Sequence, residues 1–513
     1  MILNGVIEMK KLYCMIAIIC IGGLLLYSSA SCEQNVSKDN ENTEKNETVQ
    51  EDEPLLPEET TINIDFTDEL SEFDFDGHEF SILAFPDVGF RHFYDVNSEE
   101  ETGEILADTV YRRNRVVEDR LNVTIKDIPM NEGSVYTTLR NTVSAGDLTY
   151  DVAWLSVGSA FQAAQTGLLH NMYDVPNINL SKHYWDQDAV KSFTINNQVY
   201  SILGDISTSA SMFTHLLAFN KKVAQDAGLD NLYQLVLDGK WTFDKLSEII
   251  RASGIEQDLN GDGAYDWQDK YVFSVSMAVF DALYTGSGER WVAKDSTGNL
   301  ALSEFTPRKA DVLDKIAQMF ADTTKAVENG DVTRGAPQTL GKSGHYVLHE
   351  MFIEDRVLFV DVDIGLMMDY REMESGYGVL PLPKYDESQE NYAVYSYPMY
   401  PMVGIPASLD SEQSARSGAV LEALASLSYT TLTPVFYNLA LENKFTRDEE
   451  SIAMLDVILR NKTFDIMDLY SWGNLRSMMT TAMKKNGGNY ASIYESRQEV
   501  IDREIVKITE TFK

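Results

Sequence analysis

The stretch Tyr150-Asp151-Val152-Ala153-Trp154-Leu155-Ser156, followed by the helix-like run Ala160–Leu169, decides how the chain is read. An apolar strand ends in an aromatic and a hydroxyl, and the chain then turns into a helix. In open α/β sheets, ligands bind in the crevice beyond the carboxyl ends of the strands. Trp154 and Ser156 are therefore candidates for a site. Upstream, Phe80–Phe85 is a short apolar strand introduced by Asp76-Gly77, and Leu106, Val110, Val117 and Leu121 share one helical face. Val123-Thr124-Ile125 starts a second strand, and Tyr136–Thr142 begins a second helix that ends near Gly146. The order β-α-β-α-β-α predicts a mainly parallel sheet with helices on both faces.

Downstream, Asn196-Asn197 signals a hairpin turn, and a strand over Gln198–Leu203 runs into Gly204-Asp205-Ile206-Ser207. Leu216–Lys221 is another buried strand. Thr242 is a good N-cap for a helix carrying Lys245 in its first turn. A long amphipathic helix spans Phe305–Lys325, starting near Pro307. Val357–Val360, the proline-broken Gly378–Pro383 and Met402–Pro406 read as strands, and from Ala415 onward the periodicity is almost wholly helical.

A chain of 513 residues is too long for one core, so two domains are expected. Its 42 basic and 80 acidic residues leave a net charge of −38, a field that repels phosphate backbones and argues against nucleic acid as a partner. The three cysteines are Cys14, Cys20 and Cys32, so the folded body has none. Internal disulfides, thiolate metal sites and a cysteine nucleophile are excluded there. This suits a surface protein of a Gram-positive bacterium that needs no oxidative folding.

Lys10-Lys11 and the apolar run Leu12–Tyr27 read as a secretory signal, shorter than the ~20 residues of a comfortable membrane span. Met9 would serve as its start. Ser28-Ser29-Ala30-Ser31 precede Cys32 in the manner of a bacterial lipobox, with Ser29 where leucine is usual. Residues 1–31 are thus expected to be a signal peptide, and Cys32 the lipidated first residue; the competing reading is ordinary cleavage with Cys32 incidental. Glu33 to about Thr60 is nearly devoid of apolar residues and cannot offset its ordering entropy, so 32–75 is expected to be a disordered acidic tether.

In the body, Gly146-Asp147 before Tyr150–Ser156, then Gln165–Leu169, Asn197–Tyr200, Ala218–Lys221, Gly239–Phe243, Tyr377–Pro381 and Arg447–Asp456 occur in a telling order and spacing. Over roughly 78–513 the chain resembles the family 1 extracellular solute-binding proteins, maltose-binding-like lipoproteins that deliver carbohydrates to ABC importers. The resemblance implies two α/β lobes of the periplasmic-binding-protein type, each a mainly parallel sheet flanked by helices, closing on ligand by hinge motion. By chain order, 76–204 with 402–513 would form the first lobe plus the C-terminal helices, and 205–401 the second lobe and crossings. It also implies a non-catalytic, monomeric receptor outside the membrane. Its partners would be a carbohydrate ligand and ABC permease subunits, with the N-terminal lipid its only membrane contact.

Sugars need aromatic faces for their apolar ring surfaces, plus carboxylates, amides and hydroxyls for their OH groups. The candidates are Phe85, Asp87, Trp154 and Ser156 in the first lobe, and Asp205 and Ser207 at the first crossing. Tyr284 and Asp363 come from the second lobe, Tyr395 and Tyr397 flank the second crossing, and Trp472 sits in a turn-like Ser-Trp-Gly-Asn setting. A tryptophan at a strand end is about as often core as ligand platform, and Trp185, Trp241 and Trp291 are assigned to packing.

Asp258–Asp269 is the sharpest local motif. Oxygen ligands fall at loop positions 1, 3, 5, 9 and 12 (Asp258, Asn260, Asp262, Asp266, Asp269), Gly263 stands at the sixth, and the Ala264 carbonyl supplies the seventh. A structural Ca²⁺ is expected; the bland reading is an Asp/Asn/Gly-rich turn. Two other functions are weighed: a peptide-binding receptor of the same architecture, and a surface glycoside-processing enzyme. No Gly-x-Ser-x-Gly elbow, His-Glu-x-x-His helix or phosphate-cradling glycine loop supports an enzyme. His345 and His349 have helix-pair spacing but lack a third partner, so a solvated helix face is the simpler reading.

Overall fold

The structure is a computed structural model that describes residues 66–85, 96–276, 278–295, 299–328, 344–441 and 449–512. Val152–Ser156 lies inside a four-stranded sheet, between His78–Ala84 and Pro401–Gly404, with Val123–Pro129 at the far edge. His78–Ala84 runs parallel to both Val123–Pro129 and Val152–Ser156, while Pro401–Gly404 is antiparallel. The connecting helices form where the apolar spacing predicts. In Ile105–Leu121 the buried face carries Leu106, Val110, Val117 and Leu121; Glu104 caps its start through the Ala107 N–H, and left-handed Asn122 ends it. Glu132–Ala145 stops at Gly146, whose φ of 65° costs a glycine nothing. Val157–Gln165 begins directly after Ser156.

Residues 198–203 depart from the expected strand. Asn196 and Asn197, both at positive φ, turn the chain so that Ile195 bridges Gln198, but beyond it only Ile202 bridges Val403. A single bridge to the edge strand Pro401–Gly404 does not make a ladder.

The second sheet has five strands in the order Tyr377–Leu380, His215–Asn220, Val357–Asp363, Tyr271–Val275, Ala326–Glu328. Its first two joins are antiparallel and the other two parallel. Thr242 caps Phe243–Ala252 through the Lys245 N–H, and Thr306 caps Pro307–Met319, with proline at the N-terminal position where its missing N–H is harmless.

Each sheet has its own apolar core. The first takes in Phe80, Leu83, Trp154 and Leu155, and also Val420–Leu427 of helix Ser411–Thr430. The second takes in Leu217, Phe273 and Phe359, and also Leu432, Met454, Leu475, Ile501 and Ile508. Among the places where the chain passes from one core to the other are Ile206 to Leu216, Tyr395 to Tyr400, Leu427 to Leu432, and Leu459 through Phe464 to Ile466. Buried Arg113 ties two of these passages to the first lobe, donating to the Ile206 carbonyl and Ser428 Oγ. Buried Glu422 joins helix Ser411–Thr430 to the Tyr184-Trp185 segment within the first core, accepting from Tyr184 Oη (2.5 Å) and Trp185 Nε1 (2.9 Å).

The tether assigned to 32–75 is too long at its end. The Thr67 and Asp68 N–H groups donate to Ser426 Oγ, Arg120 grips the Asp68 carboxylate at 2.7 and 2.8 Å, and Phe66, Leu70, Phe73 and Phe75 pack on the first core. Those four apolar residues supply the surface that the preceding stretch lacks. The signal and Cys32 lie outside the described residues.

Gly418, in helix Ser411–Thr430, faces the Val175–Pro176 turn so closely that a Cβ would stand 2.2 Å from the Pro176 carbonyl oxygen and 2.9 Å from Val175 Cγ1. Gly418→Ala should lower stability by about 1–3 kcal/mol in urea unfolding, as overpacking against backbone does. Unchanged stability would show that the helix stands further from that turn.

Candidate functional site

Three of the passages between the cores lie side by side. The Tyr397 N–H donates to the Phe213 carbonyl (2.9 Å), Thr214 bridges Ser396, and Val394–Tyr395 pairs in parallel with Lys462–Thr463. They form a short ribbon between the lobes. Side chains alternate across such a ribbon, so Tyr395 and Tyr397 share one face, and Val394, Ser396 and Lys462 the other.

The tyrosine face meets the carboxyl ends of Val357–Asp363 and Tyr271–Val275 and the start of the antiparallel strand His215–Asn220. His215 Nδ1 is 3.0 Å from Asp361 Oδ1, and Ser276 donates to the other Asp361 oxygen. The His215 ring lies 5.7 Å from Tyr395 and 6.1 Å from Tyr397. Arg476 pairs with Asp281 at 2.9 Å, donates to the Tyr395 hydroxyl and spreads its guanidinium over that ring. Asp363 caps the turn beyond its strand through the Leu366 N–H. Tyr397 is half-buried and packs against both cores. Burial opposes a charge on His215, but Asp361, by charge and hydrogen bond, and then Asp363 and Asp281 outweigh it and raise its pKa. Carboxylates, an imidazole, a guanidinium and two tyrosines thus converge at the strand ends, with Tyr397, Asp281 and Arg476 partly exposed and Tyr395, His215, Asp361 and Asp363 buried.

The opposite face carries a second polar group, around a pocket of about 270 Å³. Lys462 Nζ is 3.0 Å from Asp186 Oδ2, and Thr433 Oγ1 donates to Asp205 Oδ1 at 2.9 Å. Gly204 lies against Trp185 so tightly that a Cβ would stand 2.2 Å from the Tyr184 carbonyl oxygen.

Of the residues proposed from sequence, Asp363, Tyr395 and Tyr397 come together. Asp205 and Ser207 line the opposite pocket. Phe85 and Trp154 are each 1% exposed, in the first core. Tyr284 stacks on Trp291 at 4.3 Å and Trp472 on Tyr470 at 4.8 Å, both buried in the second core. The backbone around Trp472 is indeed a kinked turn, with Ser471, Gly473 and Asn474 at positive φ, but the indole folds inward. Ser156 stays half-buried at its strand end, its Oγ donating to Ser159. Asp87 lies outside the described residues. His215, Ser276, Asp281, Asp361 and Arg476 were not foreseen. The position of Ser276 one residue past an apolar strand is the signal that could have found it.

The Asp258–Asp269 loop is closed on itself. Asp258 accepts from the Gly261 and Gly263 N–H groups, Asn260 from Asp262, Asp262 from Ala264, Asp266 from Gln268, and Asp269 from Leu259 and Asp266. Gly261 and Gly263 take positive φ. Among the described residues, no three His, Cys, Asp or Glu side chains gather as a metal site. His349 is buried and bonds the Tyr370 hydroxyl rather than facing solvent.

A profile of the family described as bacterial extracellular solute-binding protein matches residues 117–448. Among curated proteins no significant match is found. Among solved structures, the chain is similar to the sugar-binding protein MalE from Xanthomonas citri, at 12% identity and a TM-score of 0.56, covering 85% of this chain and 99% of that one. It is also similar to an ABC substrate-binding protein of Listeria monocytogenes in complex with cycloalternan (12%, TM-score 0.51, 84% and 99%). A third is the cyclic α-maltosyl-1,6-maltose binding protein of Arthrobacter globiformis (14%, TM-score 0.51, 85% and 99%). At these identities the likeness shows the fold, that of the α/β periplasmic binding proteins.

Because the His215 pKa lies above that of an unfolded histidine, about 6.5, its pairing with Asp361 stabilises the fold at pH below that value. The contribution is lost as pH rises through the raised pKa. His215→Gln should therefore cost more stability in urea at pH 5.5 than at pH 9. Equal losses at both would mean that the pair is not charged.

Proposed function

Because the chain belongs to the bacterial extracellular solute-binding proteins, extracytoplasmic receptors that bind without catalysis, we propose that its ligand is a carbohydrate. An oligosaccharide is held between the lobes and passed to the permease subunits of an ABC importer. The observation that carries this reading is the cluster at the strand ends of the second lobe. Tyr397, half-buried, offers a ring face to sugar C–H surfaces, and the partly exposed Asp281 and Arg476 offer an acceptor and donors for hydroxyls, with Tyr395, His215 and Asp361 buried behind them. The Ser156 turn is the first lobe's contribution. A peptide receptor would also need to hold charged termini, a task for which Arg476 and Asp281, already paired with each other, are less free.

Lipidation at Cys32, with the acidic segment that follows as tether, holds the receptor on the outer face of the cell membrane. In the Asp258–Asp269 loop we propose a structural Ca²⁺, for which the ligand spacing is the support.

A thermal-shift screen of glycans against peptides tests the ligand class, since a ligand that binds only the native state raises the melting temperature. Glycans should shift it and peptides should not, and Tyr397→Ala should weaken the best glycan about tenfold, equivalent to ~1.4 kcal/mol. A shift with peptides alone would replace the carbohydrate by a peptide. For the metal, calorimetry with CaCl₂ should give a dissociation constant on the order of 10⁻⁴–10⁻³ M, typical of extracellular calcium modules, and Asp262→Ala should abolish the heat. No heat at millimolar calcium would remove the metal from the account.

A further inference from the structure

The pocket behind the ribbon belongs to neither sheet alone. Trp185, Asp186 and Asp188 come from the first lobe, Asp205, Ser207 and Ser211 from the first passage, and Lys462 from the ribbon itself. Tyr437 and Arg460 come from helices whose apolar residues join the second core. Lys462 is therefore a single cation between two acids on separate segments: Asp186, ion-paired with it at 3.0 Å, and Asp205, bonded to Thr433. The other charged or titratable groups around Asp205 are Arg460, Tyr437, Tyr184, Asp188 and His183, the last exposed at the rim.

In a receptor that closes by hinge motion over the tyrosine face, bending at the ribbon would draw apart the segments on the Lys462 face. We propose that Asp205, Asp186 and Lys462 form a proton-linked latch behind the hinge: closing the front cleft widens the rear pocket, hydrates the Asp205 carboxyl and releases its proton. The inference rests on the hinged-receptor reading above and adds to it a dependence on pH. Asp205 is half-buried at the pocket wall, and desolvation there pushes its pKa up to about 6; the Lys462 charge and the Thr433 hydrogen bond offset part of that, while Asp186 adds to it. On Lys462 itself, burial is outweighed by attraction to Asp186 and Asp205, which raises its pKa and keeps it charged throughout this range. Hydration moves a carboxylate back toward about 3.9. The closed form thus binds the proton more weakly than the open form, so rising pH favours closure. Acid conditions favour the open form and ligand release.

The latch predicts a pH-dependent lobe distance with no ligand present. Spin labels at Ser144→Cys and Gln225→Cys, exposed positions in the two lobes, would report it by pulsed dipolar spectroscopy, with Cys14, Cys20 and Cys32 replaced by serine. Moving from about pH 5 to about pH 7.5 should shift the distance distribution toward the closed form, with a midpoint near 6. Asp205→Asn should hold it at the acid-form distribution at every pH. Lys462→Gln, which removes the cation that favours ionised Asp205, should move the midpoint upward, and His183→Gln should leave it in place. A wild-type distribution that ignores pH, yet contracts with maltodextrins, would overturn the latch and leave the hinged receptor standing. One fixed distribution under all conditions, maltodextrins included, would overturn both. A pH profile that survives in Asp205→Asn would assign the proton to another group and end the proposal.

Discussion

The structure depends on the pairing of three chain passages between the lobes. The Val394 N–H donates to the Asn461 carbonyl at 2.8 Å and the Tyr397 N–H to the Phe213 carbonyl at 2.9 Å, so segments far apart in sequence become one ribbon. Strand alternation then does the rest. It sends Tyr395 and Tyr397 to one side and Lys462 to the other, and so separates the tyrosine cluster from the charged pocket. A register slip of one residue would exchange the two faces.

The ribbon is held at its first-lobe end by buried polar anchors. Arg113, 1% exposed, binds the Ile206 carbonyl and Ser428 Oγ, and so fixes the helix Ile105–Leu121 to two passages at once. Glu422 fills a similar role between helix Ser411–Thr430 and the Tyr184-Trp185 segment. Burial raises its pKa, and the hydrogen bonds from Tyr184, Trp185 and the Asn179 N–H counter that rise. Buried charges of this kind cost heavily unless every oxygen and N–H is satisfied.

The front cluster and the rear pocket use the same residue types for opposite ends. Asp361, fully buried, is a carboxylate satisfied by His215 and Ser276. Asp205, near Lys462 and Asp186, accepts a hydrogen bond from Thr433 at the wall of the pocket. Composition could not separate them, because 80 acidic residues make any aspartate look alike until its neighbours are known.

The chain by itself determined the elements. Period-3.6 apolar spacing marked Ile105–Leu121, capping threonines marked the starts of Phe243–Ala252 and Pro307–Met319, and apolar runs marked the central strands, because each signal is local and its energy is decided within a few residues. The family and its two lobes were legible from the order of these motifs. Tertiary structure alone decided which polar residues meet. His215 and Asp361 are 146 positions apart, and Asp281 and Arg476 are brought together only by the packing of the C-terminal helices on the second sheet. It also turned Trp154 and Trp472 inward, since an indole at a strand end or a turn goes wherever the facing layer leaves apolar space. Residues 66–75 show the same limit: their four apolar side chains are in the sequence, but the first core that receives them, with Arg120 over Phe66 and Ser426 accepting from the Thr67 and Asp68 N–H groups, is assembled by the fold.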